Sequence, residues 1–267
     1  LRWMNSPKSD SVILCCAVKC FQILGPEAKS AIPELAEMLN QPVKTIDESG
    51  RAWLAAEALS YLGPDAVPII IAAANNEQRS KWKVFSLIAN FAFDGRGAIP
   101  DVLNWSKSSD GSIRVGALYA YIGIEENNQA LITFLLSALR DTEWSVRRDA
   151  ARSLGNVAKG RPEVLAALFE ALRDPHPQSV TGAILALGRL GMEREKVVAA
   201  LVEKLHDNEA VVRRCAALAL GDVAGTEAFS ALAQATDDPD GFVREAVFQS
   251  LKRIHAEALA RSGKKFY

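Results

Sequence analysis

The sequence is poor in the residues that build metal, redox and disulfide sites. It has four cysteines, of which Cys15, Cys16 and Cys20 lie close together and Cys215 lies far along the chain. This distribution excludes the disulfide framework that stabilises many small secreted domains. None of the three histidines stands at metal-ligand spacing from another. Because a structural zinc site needs four nitrogen or sulfur ligands, the sequence predicts no metal and no cofactor.

Long apolar runs and an excess of charge of one sign are also lacking. The chain has 31 Lys and Arg residues against 32 Asp and Glu residues, and this balance gives no electrostatic signature of nucleic-acid binding. The most apolar segment, residues 11–24, is interrupted by Lys19 and Gln22 and is shorter than the roughly 20 residues of a membrane helix. No membrane span is therefore expected. The compartment stays open, with a cytoplasmic location slightly favoured over export with removal of a signal peptide.

What the sequence does contain is an internal repeat. Residues 145–158 place Val146, Ala150, Leu154 and Val157 on one face of a helix. The same phrase returns along the chain, and its equivalent residues are separated by 38, 32, 30, 33, 33, 33 and 31 positions. These equivalent residues are Phe21, Leu59, Phe91, Tyr121, Leu154, Leu187, Leu220 and Leu251. Eight phrases with so regular a period indicate a helical repeat protein.

Each phrase is followed by a second apolar pattern with helical spacing. Proline often begins this second helix, where its missing N–H costs no hydrogen bond. These prolines are Pro33, Pro68, Pro100 and Pro162. Glycine often lies between the two helices, where the chain reverses. These glycines are Gly25, Gly63, Gly191 and Gly225. No alternating pattern of useful length argues for strands, so the sequence predicts an all-α fold of helix–turn–helix units.

Two segments carry a more specific resemblance. Residues 24–33 have the sequence Leu-Gly-Pro-Glu-Ala-Lys-Ser-Ala-Ile-Pro, and residues 146–155 have the sequence Val-Arg-Arg-Asp-Ala-Ala-Arg-Ser-Leu-Gly. Both are similar to the consensus of HEAT repeats, in particular the short bacterial variety. The resemblance implies a right-handed α-solenoid of seven to eight helix pairs over residues 10–254. First helices would form its convex side and second helices its concave side.

The remaining segments are assigned around this solenoid. Residues 1–9 are expected to be an N-terminal cap or the remnant of a preceding repeat, and residues 255–267 a capping tail. Residues 41–50 are expected to form a long connection, which accounts for the step of 38 positions.

Two further sets of residues are predicted to be structural. Arginines at the start of first helices and aspartates at the end of second helices recur with the period, which predicts a ladder of charge-assisted contacts. The arginines are Arg114, Arg147, Arg213 and Arg244, and the aspartates are Asp141, Asp174, Asp207 and Asp238. A phosphate-binding arginine row is the functional alternative. Cys20 stands at a position that holds alanine in other units, so the cysteines are expected to be small core residues.

The second helices supply the candidate partner-binding surface. Two columns of equivalent non-core positions contain carboxylates, small residues and Phe134, but no Lys or Arg. Such a surface is unsuited to nucleic acid, which requires several cations facing phosphates. A plain solvated helix face is the alternative for each residue, and Trp105 could equally fill a gap between repeats. The candidates are Glu34, Glu37, Asp101, Asn104, Trp105, Phe134, Ser137, Glu170, Glu203 and Gln234.

These residues favour a non-catalytic protein-binding scaffold. The sequence contains no nucleophile with a neighbouring base, no phosphate-binding glycine loop and no paired His-Glu dipeptide. It therefore offers no candidate catalytic residues, and an enzyme is not expected. The expected partner is another protein or a peptide, extended or basic. Two alternatives stay open, an accessory module of a larger protein and a protein similar to the HEAT-type bilin lyases. Nucleic-acid binding is a weaker third alternative.

Overall fold

A computed structural model of the protein describes residues 11–40, 46–74, 99–124 and 128–262. Within these ranges every regular element is a helix and none is a strand, which confirms the all-α prediction. The chain divides into two compact units, residues 1–127 and residues 128–267. Each unit is described by itself.

The first unit contains six described α-helices. They are α1 (Ser11–Leu24), α2 (Ile32–Asn40), α3 (Ile46–Ser60), α4 (Val67–Ala74), α5 (Ile99–Trp105) and α6 (Gly111–Ile124). Short 3₁₀ helices join α1 to α2 and α3 to α4. Helix α3 packs against α1, α2 and α4, and α5 packs against α6. The largest fully buried side chains include Leu35, Leu39, Leu59, Leu62 and Ile70, so the core is a layer of leucine and isoleucine between successive helix pairs.

The second unit contains eight α-helices. They are α7 (Asn128–Ala138), α8 (Trp144–Val157), α9 (Pro162–Ala171), α10 (Pro177–Leu190), α11 (Arg194–Lys204), α12 (Ala210–Val223), α13 (Thr226–Gln234) and α14 (Gly241–Ser262). The first helices of the repeats stack in chain order, α8 on α10, α10 on α12 and α12 on α14. Each second helix packs against the first helix that follows it. A repeat therefore completes its core only with its neighbour.

Helix α8 shows why the repeated phrase folds in this way. Val146, Ala150 and Leu154 are buried with 2% exposure or less, which confirms the predicted apolar stripe. Pro162 occupies the first turn of α9, where proline is compatible with a helix. Gly191 has a φ of +66° directly after α10. Because a side chain in this left-handed region is strained, glycine suits the reversal there.

Glycines also let the first helices approach one another closely. A Cβ atom built on Gly155 of α8 would lie 2.6 Å from the Cα atom of Ala186 in α10. A Cβ atom on Gly182 would lie 2.5 Å from the backbone oxygen of Arg148. Gly188 faces Ala219 of α12 in the same way, at 3.0 Å from its Cβ atom. Gly155 and Gly188 thus each pair with an alanine where α8 meets α10 and where α10 meets α12.

Three sequence-based boundaries need comment. The connection predicted over residues 41–50 is shorter, because α3 begins at Ile46. Residues 255–262 of the predicted tail continue α14 as a helix. Most of the repeat that contains Phe91, residues 78–109, lies outside the described residues.

The prediction that the cysteines are core residues is wrong for two of them. Cys16 and Cys20 are exposed, and Cys215 is partly buried. Cys20 corresponds to Ala186 and Ala219, which face the preceding first helix in their units. At the equivalent position of α1, Cys20 is exposed. Burial raises the pKa of the Cys215 thiol, and the nearby Arg214 and Arg152 oppose this effect only in part.

Candidate protein-binding surface

Two rungs of the predicted arginine ladder are present in the second unit, at Arg147 and at Arg213, whereas Arg244 donates to the backbone oxygens of Asp238 and Pro239. Arg147 at the start of α8 donates from Nε and Nη2 to the two carboxylate oxygens of Asp174, at 2.6 and 2.9 Å. Its Nη1 also donates to the backbone oxygen of Asp141, at 2.7 Å. Arg213 pairs with Asp238 through the same bidentate geometry, at 2.7 and 3.0 Å. Each arginine therefore joins two turns, the one that precedes its own helix and the one that follows the second helix of the same repeat.

The aspartates of the ladder are held in the ionised form. Burial by itself raises the pKa of Asp174, but hydrogen bonds from Arg147, from the His176 backbone and from Ser179 outweigh it and lower the pKa below its ordinary value. For Asp238 the hydrogen bond from Arg213 is the largest effect and lowers the pKa, with burial opposing it. These contacts occupy the arginines, which argues against the alternative of a phosphate-binding row.

One rung of the ladder is missing. Val180 in α10 stands where α8 has Arg147 and α12 has Arg213. The corresponding carboxylate, that of Asp207, instead lies 3.5 Å from the Nζ of Lys204. It also accepts a hydrogen bond from the backbone N–H of Glu209, at 3.0 Å. Asp207 therefore provides an internal reference for an aspartate that caps a turn without an arginine.

Seven of the ten predicted surface residues on the second helices are exposed. In the first unit Glu34, Glu37 and Asn104 are exposed, and Asp101 lies on α5. In the second unit one residue from each second helix is exposed at the equivalent position, and Phe134 on α7 is partly buried. These four exposed residues are Ser137, Glu170, Glu203 and Gln234. The positions are accessible as expected, while their role in binding stays a prediction.

Trp105 departs from the prediction. Its side chain is only 6% exposed at the end of α5, so it cannot act as an accessible anchor. The gap-filling role that the sequence left open fits this burial better. A tryptophan buries a large apolar area, and it stabilises a helix pair when it is enclosed in this way.

An open groove lies between α7 and α9 in the second unit. Its volume is about 710 Å³, within the range of pockets that bind ligands. The candidates Ser137 and Glu170 lie in its wall, beside Glu163 and a set of apolar side chains. Its apolar lining residues are Leu136, Leu139, Ala166, Ala167 and Ala171. The first helices α8 and α10 pack tightly, whereas the second helices α7 and α9 leave this space between them.

The groove also contains cations that sequence reasoning missed. Arg140 and Arg173 lie in its wall with Asp174, and both arginines are exposed. The expectation of a surface free of Lys and Arg is therefore wrong for this groove. The signal was present in the sequence, because the two arginines are one repeat apart. They were overlooked because they follow the second helices instead of lying within them.

Searches for other kinds of site give negative results within the described ranges. There, no group of three or more His, Cys, Asp or Glu side chains could hold a metal ion. Among those same residues, no helix has the length and apolar character needed to cross a membrane.

The sequence matches the family profile for HEAT repeats three times, over residues 99–186, 132–203 and 182–252. Together these matches span residues 99–252, more than half of the chain. The chain belongs to the HEAT-repeat family. Its first and second helices are accordingly the two helices of successive HEAT repeats, and the α7–α9 groove lies between second helices. No curated protein matches the chain.

Solved structures support the HEAT-repeat fold. YibA of Escherichia coli is similar over 93% of this chain and 89% of its own chain, with 16% identity and a TM-score of 0.56. A mutant of Kap121p is similar over 87% of this chain, with 16% identity and a TM-score of 0.59. This HEAT-repeat chain corresponds to only 30% of the Kap121p chain. At such low identity the likeness establishes a common fold and no shared partner.

Proposed function

We propose that the protein is a non-catalytic scaffold that binds another protein or a peptide across its second helices. The observation that carries the proposal is the α7–α9 groove, where an open apolar floor adjoins the exposed Ser137 and Glu170. Rigid second helices lose little conformational entropy on binding, so a modest number of contacts is enough for affinity. Membership of the HEAT-repeat family supports the same role.

The charges around the groove define the partner more closely. Glu170 and Glu203 occupy equivalent positions on successive second helices, and Arg140 and Arg173 follow α7 and α9 one repeat apart. A partner segment that crosses these helices meets carboxylates along one line and guanidinium groups along another. We infer a segment with both basic and acidic side chains around an apolar centre, in place of a purely basic one. Charge complementarity of this kind sets orientation and specificity.

A double charge reversal tests the surface. We expect Glu170→Lys with Glu203→Lys to remove the partners that the wild-type protein captures from its native source, as measured by quantitative mass spectrometry. Thermal unfolding should stay nearly unchanged, since both side chains are exposed and exposed substitutions rarely alter stability by more than about 0.5 kcal/mol.

The matched control is Glu209→Lys with Asp237→Lys. These two acidic residues are also exposed but lie in connections between helices, and the variant has the same change in net charge. The control should keep the wild-type partners. Equal capture by the wild-type protein and the Glu170→Lys, Glu203→Lys variant would place the binding surface elsewhere.

A further inference from the structure

The terminal helix α14 has an outer face that no described element covers. Its opposite face is buried against α12 through residues such as Val243, Val247 and Ile254. The outer face consists of Glu245, Phe248, Lys252 and Ala256, all exposed. These residues recur every three or four positions and so form a single stripe along the helix.

Phe248 makes this stripe unusual. Its ring is 54% exposed, whereas Ala217, at the equivalent position of α12, is fully buried. The Nζ of Lys252 lies 4.3 Å from the centre of the Phe248 ring. The side-chain amide of Gln249 donates to Glu245 Oε1 at 2.7 Å. The stripe is therefore an apolar ring between two opposite charges.

A further HEAT repeat does not fit this face in the way repeats fit elsewhere in the second unit. On α8, α10 and α12 the equivalent face carries Gly155, Gly188 and Gly221, each in close contact with the next first helix. At the corresponding position α14 has Lys252. A long charged side chain prevents the close approach that the glycines allow. An occupant that packs at a larger distance and supplies a carboxylate to the lysine suits this face better.

The same face of a second copy meets both requirements. Glu245 and Lys252 are seven residues apart, which corresponds to two helical turns and about 10.5 Å along the axis. If two α14 helices pair antiparallel about a two-fold axis near Phe248, Glu245 of each copy faces Lys252 of the other. The two phenylalanines then meet close to the axis. A two-fold interface requires this self-complementarity, in which each residue's partner is repeated by symmetry.

The length of α14 adds to the fit. It has 22 residues, compared with 14 in each of α8, α10 and α12. In the antiparallel pair, the extension beyond Ile254 lies opposite the first turn of the other copy. That turn carries Phe242, which is 72% exposed. The Cζ atom of Arg214 lies 5.8 Å from the centre of the Phe242 ring, and the facing extension adds contact area to the pair.

We propose that the protein forms a two-fold symmetric dimer through the outer face of α14, with the helices antiparallel. This contact uses a surface separate from the α7–α9 groove and does not depend on the proposed scaffold function. One helix face is a small interface, so we expect an association at the weak end of specific complexes.

The test is sedimentation velocity of the full chain over a concentration series that reaches the solubility limit. The wild-type protein should shift from monomer to dimer. Glu245→Lys alone and Lys252→Glu alone should each place like charges opposite one another and weaken association at least about tenfold. When the two single variants are mixed in equal amounts, every facing pair again has opposite charges, and dimers should return.

Controls separate this result from a general charge effect. Lys159→Glu and Glu195→Lys change exposed residues away from α14 and should leave the dimer intact, and circular dichroism should show every variant to be folded. A wild-type protein that stays monomeric throughout overturns the proposal. So does a dimer that survives Lys252→Glu, or a mixture of the single variants that does not associate.

Discussion

The carboxylate of Asp174 forms hydrogen bonds with several parts of the chain. The Asp174 carboxylate accepts from Arg147 of the previous repeat, from the backbone N–H of His176 at 2.9 Å and from the hydroxyl of Ser179 at 2.8 Å. Its side chain is only 9% exposed, so these bonds are shielded from water. Asp174 thus fixes the turn and ties it to the neighbouring repeat, while the equivalent Asp207 lacks the arginine.

This difference predicts unequal costs for the same substitution. We expect Asp174→Ala to lower the free energy of unfolding by about 3 kcal/mol, because it leaves the partly buried Arg147 guanidinium without its carboxylate. Asp207→Ala should cost only about 1 kcal/mol, the usual loss for a capping side chain. Urea denaturation of both variants gives the comparison. Equal losses would show that the arginine contact contributes nothing.

The lowered pKa of Asp174 and of Asp238 predicts a pH dependence of stability. A carboxyl whose pKa is lower in the folded state stabilises the protein above its unfolded pKa of about 4. That contribution disappears as the pH falls through the folded pKa. We expect Asp174→Asn with Asp238→Asn to be clearly less stable than the wild-type protein at neutral pH.

At a pH below both pKa values this difference should become much smaller. The measurement is denaturant unfolding of the double variant and the wild-type protein at several pH values. A stability difference that is constant with pH would mean that the aspartates stabilise the fold through packing and hydrogen-bond geometry and not through their charge.

At the scale of the helix, glycine determines how the first helices pack. Gly155 and Gly188 face Ala186 and Ala219, and Gly182 faces the backbone at Arg148. Glycine within a helix costs about 1 kcal/mol relative to alanine. Its recurrence at contacts therefore shows that close approach outweighs the lost helix propensity.

A single added methyl group tests this balance. We expect Gly155→Ala to destabilise the protein by about 1–3 kcal/mol, because the new Cβ would collide with Ala186 and force two helices apart. Gly241→Ala is the control, since a Cβ there would meet only the end of Arg244, at 3.6 Å. The control should be neutral or slightly stabilising in thermal unfolding. A stabilised Gly155→Ala variant would contradict the close contact.

At the scale of the whole molecule, the repeat made most of the architecture predictable. The period predicts alternating helices, the positions of turn glycines and the exposed column that includes Glu170 and Glu203. A chain whose units contact mainly their neighbours needs no long-range information for these features. The chain divides into two compact units. A single solenoid over residues 10–254 and the capping role of its ends therefore stay predictions.

What the sequence could not predict depends on the environment beyond one repeat. Cys20 occupies a core position of the repeat but is exposed, so the position within the repeat does not by itself determine burial. Trp105 is buried although its position on a second helix suggested an accessible anchor. The width of the α7–α9 groove depends on the distance between these two helices. The period of the repeat in the sequence does not predict that distance.

The glycine contacts have a consequence for how such a protein can change. Gly155 and Ala186 set the spacing of the first helices. They are different residues from those that line the groove, such as Ser137 and Arg173. Mutations of groove residues other than Asp174, which also belongs to the arginine ladder, can therefore give the molecule new ligands with little penalty to its folding. A lineage of such proteins could diversify what it recognises while the framework that displays those residues remains the same.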